Sequence, residues 1–148
     1  MPHAGLMDER ALGPEAGPLQ RARLHIRGGK RRLKQGKLSA GIVTLYDAVS
    51  AAMEWYIASP ERRRNLVIRD DDNLNDEKTL YDILVRSGVL DGSFDYRAFD
   101  GLVQKVLYED EVGFDYKKSL DEIESFMTML GVMPFDEQGL PPEDPATF

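Results

Sequence analysis

Between residues 19 and 133 the apolar positions recur every three or four residues, the period of an α-helix. Helix A spans about Leu19 to Gln35, with Leu19, Ala22, Ile26, Gly29 and Leu33 on one stripe. Helix B spans about Leu38 to Ala58 and carries two stripes. Leu38, Ile42, Leu45, Val49, Ala52 and Tyr56 form the first, and Val43, Tyr46, Ser50, Met53 and Ile57 the second. A helix apolar on two faces packs on both sides, so helix B is the expected centre of the core. Ser59-Pro60-Glu61 reads as a fresh helix start: serine caps, proline takes the first position and the acid faces the positive helix end. A short helix to about Arg69 is expected, with a strand at Asn65 to Ile68 as the alternative. Helix C runs from about Asp76 to Ser87, capped by Asn75 and stopped by Gly88. Helix D runs from about Tyr96 to Glu109, capped by Asp95. Helix E runs from about Leu120 to Leu130, opened by the capping box Ser119-Leu120-Asp121-Glu122 and ended by Gly131. The expected fold is all-α: a compact bundle or array of about five to six helices, built around the antiparallel hairpin of helices A and B.

The periodic region is flanked by segments of different composition. Residues 1–18 hold Gly5, Gly13, Pro14, Gly17 and Pro18 without an apolar period and read as a flexible tail. Residues 134–148, PFDEQGLPPEDPATF, are proline-rich and acidic and read as a second tail. Residues 19–133 are then the single α-helical domain, a size one hydrophobic core can serve. Cysteine is absent, which excludes disulfides, thiolate metal sites and a cysteine nucleophile, and suits a cytoplasmic protein. The longest apolar stretch, within Leu38 to Ile57, is interrupted by Asp47 and Glu54 and is too polar for a membrane span. The first residues lack the basic and apolar regions of a signal peptide.

Charge is divided unevenly. Residues 1–69 carry 13 Lys and Arg against 6 Asp and Glu, whereas residues 70–148 carry 6 against 20. Such halves attract each other, within one fold or between two copies. On helix A, Arg23, Arg27, Lys30, Lys34 and Lys37 follow helical spacing and form a basic stripe beside the apolar one, and Arg62-Arg63-Arg64 could extend it. A stripe of this kind pairs with acidic helices, steers an acidic protein partner or holds phosphates.

The segment from Gly29 to Val49, GKRRLKQGKLSAGIVTLYDAV, resembles part of a tetratricopeptide repeat. Gly29 and Gly36 have the spacing of that repeat's two glycines, Lys34-Gln35-Gly36 matches its turn, and Gly41, Ile42, Leu45, Ala48 and Val49 follow its second helix. The resemblance implies two helices that cross closely at small residues. It covers one hairpin: helix B continues to Ser59-Pro60, and no second copy stands about 34 residues away. The pairing of long helices with Leu45-Tyr46 and Trp55-Tyr56 also resembles the helical HEPN class. Nuclease members of that class carry Arg, four to six residues, then His. Arg21 and His25 are separated by three, so this resemblance implies a non-nuclease.

Other chemistry finds little support. Asp71 to Asp82 places oxygens like a calcium loop but has Asp76 where glycine must turn the chain. Gly29 and Gly36 are too far apart for a phosphate loop, and Leu38 stands where Ser or Thr is required. There is no G-x-S-x-G, and only His3 and His25 are available for acid–base or metal chemistry. No enzyme, metal or cofactor is expected. The expected function is a non-catalytic protein-interaction module, a subunit of a larger assembly or a homodimer. The alternative is a phosphate- or nucleic-acid-binding protein using the stripe of helix A.

Overall fold

The computed structural model describes residues 9–108, 115–143 and 145–147. Its helices are α1 (Glu9–Lys34), α2 (Leu38–Ala58), α3 (Pro60–Arg63), α4 (Glu77–Arg86), α5 (Tyr96–Tyr108) and α6 (Tyr116–Leu130), and no strand occurs among the described residues. The fold is all-α, as the periodicity requires.

The α1–α2 hairpin organises the molecule. Gly36 turns the chain with a φ of 78° while the Lys37 amide donates to the Arg32 carbonyl, a six-to-one closure that favours glycine. The two helices then cross at Gly29 and Gly41. A Cβ on Gly29 would lie 2.7 Å from Leu45 Cγ and 3.3 Å from the Gly41 carbonyl. A Cβ on Gly41 would lie 2.7 Å from Leu33 Cδ2 and 3.2 Å from the Gly29 carbonyl. Each glycine thus receives a leucine of the opposite helix, the close crossing that these small residues imply.

Helix α2 is the core element. Ile42, Leu45, Ala48, Val49, Ala51, Ala52 and Met53 are fully buried, and α1, α3, α4, α5 and α6 all pack on it. The second stripe is covered in part by the later helices: Tyr46 packs on Tyr96 and Phe99 of α5, and Met53 is fully buried. Val43 is its exposed remainder. Phe94, Phe99, Phe126 and Met127 fill the space between α2 and the later helices.

Several boundaries differ from the sequence expectation. Gly13 leaves helical geometry (φ 90°, ψ 178°), so α1 is broken there and resumes at Pro14, proline's favoured first position. Residues 9–18, expected in a tail, therefore belong to α1, and Gly17 and Pro18 are buried; residues 1–8 lie outside the described residues. Asp76, not Asn75, caps α4, because its carboxylate takes both the amide and the hydroxyl of Thr79. Asp115 caps α6 through the amides of Lys117 and Lys118, one turn ahead of the Ser119 box. Residues 66–68 are neither helix nor strand: Val67 is held by the Ser87 hydroxyl and by Arg86.

Candidate functional site

The basic stripe faces the C-terminal segment. After Gly131 ends α6 in the left-handed conformation (φ 92°), the chain runs back along α1. Arg23 donates to the Val132 carbonyl at 3.1 Å, and its guanidinium carbon lies 5.3 Å from the centre of the Phe135 ring. Arg27 donates to the Pro141 carbonyl at 2.6 Å and, at the limit of bonding, to the Glu137 carbonyl at 3.5 Å. Lys30 lies 3.7 Å from carboxylate oxygens of both Glu124 and Glu137. Lys34 and Lys37, beyond the segment's reach, are exposed and form no ion pair among the described residues. The structure thus brings three of the five stripe residues onto one extended strap and leaves two at its open end.

The strap's sequence explains why arginines hold it. Pro134, Pro141 and Pro142 have no amide proton, and only a short 3-10 turn at Glu137–Gly139, capped by Asp136, interrupts the extended backbone. The carbonyls left over need donors, and guanidinium groups supply several in a fixed plane. Arg31, outside the expected stripe, makes the shortest ion pair with the strap: it donates to Glu143 at 3.0 Å, with the two side chains 16% and 10% exposed. The i, i+4 row Arg23, Arg27, Arg31 carries that signal in the sequence. Burial lowers the pKa of the Arg23 guanidinium, yet arginine ionises so far above neutrality that the charge remains.

Arg62 does not extend this face. It turns back on α2, donating to the carbonyls of Trp55 and Tyr56 and lying 3.9 Å from the Trp55 ring centre. His25 is buried between the hairpin helices, with Nδ1 2.9 Å from the Arg21 carbonyl and Nε2 3.0 Å from Asp47. In the segment that resembles a calcium loop, Asp72 binds Arg86 and the Arg69 amide, and Asp76 caps α4. No group of three or more metal-ligating side chains occurs among the described residues. Nor is any helix among them long and apolar enough to cross a membrane.

No protein family, curated protein or solved structure matches this chain. The arrangement of side chains is therefore the ground for function.

A concavity of about 540 Å³ opens between α2 and the first turns of α4 and α5. Tyr96 donates to Glu77 at 3.1 Å, and the Tyr46 and Tyr96 hydroxyls are 3.2 Å apart. Tyr46 also stacks on Phe99, with ring centres 6.0 Å apart. Burial, with lesser contributions from Glu77 and Asp100, pushes the Tyr46 hydroxyl up to about 12. Periodicity places Tyr46 on an apolar stripe of helix B and Tyr96 at the start of helix D, and gives no sign that their hydroxyls meet at a cavity.

Proposed function

We propose that the protein is a non-catalytic helical interaction module whose α1 face receives extended acidic protein segments. The observation that carries this reading is the manner in which residues 132–143 lie on α1. Two arginines bind backbone carbonyls, Arg31 and Lys30 bind carboxylates, and Arg23 covers an aromatic ring. This is recognition of a peptide by main chain and side chain together. The chain's own strap is the resident occupant, and a partner, or a second copy, would present similar chemistry. Phosphate or nucleic acid, the other ligand of a cationic stripe, gains little from carbonyl-directed arginines and is repelled by Glu137 and Glu143. The burial of His25 within the hairpin supports a non-catalytic role.

A tethered strap competes at an effective concentration of about millimolar, so a free peptide should bind the intact protein weakly. The test uses a labelled peptide with the sequence of residues 132–143 and, separately, a labelled DNA duplex. Fluorescence polarisation compares the wild type with a Glu137→Lys, Glu143→Lys variant whose strap is repelled by α1. The peptide should bind the variant at least about tenfold more tightly, a gain of about 1.4 kcal/mol. Adding Arg27→Glu and Arg31→Glu should abolish it. Duplex binding without peptide binding would overturn the reading in favour of nucleic acid, and binding of neither at about 1 mM would remove the site.

A further inference from the structure

The cavity between α2, α4 and α5 is independent of the α1 face and has its own chemistry. Its floor is a pair of hydroxyls beside a carboxylate. Tyr96 donates to Glu77, and the Tyr46 and Tyr96 oxygens are 3.2 Å apart. Each hydroxyl has one proton and two lone pairs and the carboxylate has only lone pairs, so the group offers more acceptor sites than donors. Asp100 and Asp76 add carboxylates to the same walls. Of the two cations present, Lys78 is held by Asp82 on its own helix, which leaves Arg97, an exposed side chain of the first turn of α5. Two helices also begin at the cavity, and their amino ends would attract an anion. That role is already filled from within the chain: Asp76 takes the Thr79 amide and Asp95 takes the Ala98 amide.

We infer that this cavity binds an organic cation, an ammonium or guanidinium group, seated against the Tyr46 hydroxyl and ring and the carboxylates of Glu77 and Asp100. The volume is that of a small-ligand site. A tyrosine wall beside carboxylates is the environment that favours such a group, through the ring quadrupole and charge-assisted hydrogen bonds. The stacking of Tyr46 on Phe99 and its contact with Tyr96, at 6.5 Å between ring centres, fix the wall before any ligand arrives. Burial raises the pKa of both tyrosine hydroxyls, and the Glu77 carboxylate adds to the rise in each. The cation could belong to a small polyamine or to a lysine or arginine side chain of a protein.

The full-length protein should be titrated by calorimetry with spermidine, with agmatine and with a short arginine- and lysine-rich peptide, inorganic phosphate serving as the opposite charge. Binding of a cation is expected, weakened about tenfold or more by Glu77→Gln and by Asp100→Asn, the loss a charge-assisted hydrogen bond implies. Tyr46→Phe should weaken it less, because the ring remains. Binding by spermidine or agmatine places the source among small molecules, whereas binding by the peptide alone places it in a partner protein; either supports the site. Phosphate binding in place of cations, no cation binding at about 10 mM, or cation binding unchanged by both carboxylate variants would overturn the inference. Circular dichroism of each variant separates loss of the site from loss of the fold.

Discussion

Replacing Gly29 by alanine places a methyl group where the α1–α2 crossing has no space. The new Cβ would stand 2.7 and 2.8 Å from Cγ and Cδ2 of Leu45, a fully buried side chain, and 3.3 Å from the Gly41 carbonyl. Leu45 Cγ is a branch point, so it cannot yield without moving the whole side chain into a packed core. Overpacking of this kind costs about 1–3 kcal/mol. Against it stands the intrinsic preference of a helix for alanine over glycine, about 0.8–1 kcal/mol. The net expectation for Gly29→Ala is a loss of about 1 kcal/mol, or roughly 2–4 °C in melting temperature for a chain of this size. The molecule contains its own control. Gly101 is exposed in α5, and a Cβ there meets nothing within 4 Å. Gly101→Ala should therefore gain the propensity term alone, about 0.8–1 kcal/mol. Urea unfolding followed at 222 nm measures both variants, and the difference between them isolates the steric cost. Gly29 and Gly41 share one crossing, so the double variant should lose less than the two single losses added, since helices already pushed apart admit the second methyl at lower cost. A Gly29→Ala protein as stable as Gly101→Ala would refute the close crossing.

Two further outcomes are expected. Arg62→Ala should cost about 1–3 kcal/mol, because it removes donors from the Trp55 and Tyr56 carbonyls and a cation from the Trp55 ring. Arg62→Lys should recover only part of this, and the emission of Trp55, the single tryptophan, should report the change in both variants. Hydrogen bonds from Arg86 and from the Arg69 amide hold the Asp72 carboxyl below its ordinary pKa. A lowered folded-state pKa contributes stability above the unfolded value of about 4 and loses it as pH falls through the folded value. Melting temperatures between pH 6 and 2 should therefore decline less steeply in Asp72→Asn than in the wild type, and an unchanged slope would contradict the assignment.

The sequence displays a feature when the feature rests on periodic burial. Helix α2 begins and ends where expected, Leu38 to Ala58, because its apolar stripes and the Gly36 and Ser59-Pro60 boundaries all agree. Caps were harder to place. The run from Asp70 to Glu77 offers several candidates, and the choice of Asp76 depends on Thr79 presenting both amide and hydroxyl to one oxygen. At α6 the Ser119 box matches a familiar pattern, yet Asp115 does the capping with a lysine at the position where the box requires glutamate. The strap was illegible for a different reason. Its contacts run through carbonyls, one aromatic ring and two carboxylates, none of which leaves a period. The stripe itself was visible as a row of cations, but spacing along one helix says nothing about which segment returns to meet it. The tyrosine pair likewise joins residues 50 apart in sequence, one on an apolar stripe and the other at a helix start.

The two faces of α1 are completed at different times. The hairpin needs only neighbouring sequence and closes once α2 exists, whereas the bonds from Arg23 to Val132 and from Arg27 to Pro141 span 109 and 114 residues. Such distant contacts are made late. On a ribosome adding about 5–20 residues per second, the stretch between the end of α2 and the strap takes on the order of 4–15 s to synthesise. For that interval the nascent chain displays α1 with Arg23, Arg27 and Arg31 not yet covered by the strap, beside the polyanionic surface of ribosomal RNA. Arrival of the strap then turns Arg23, Arg27 and Lys30 inward, onto carbonyls and carboxylates of the chain itself.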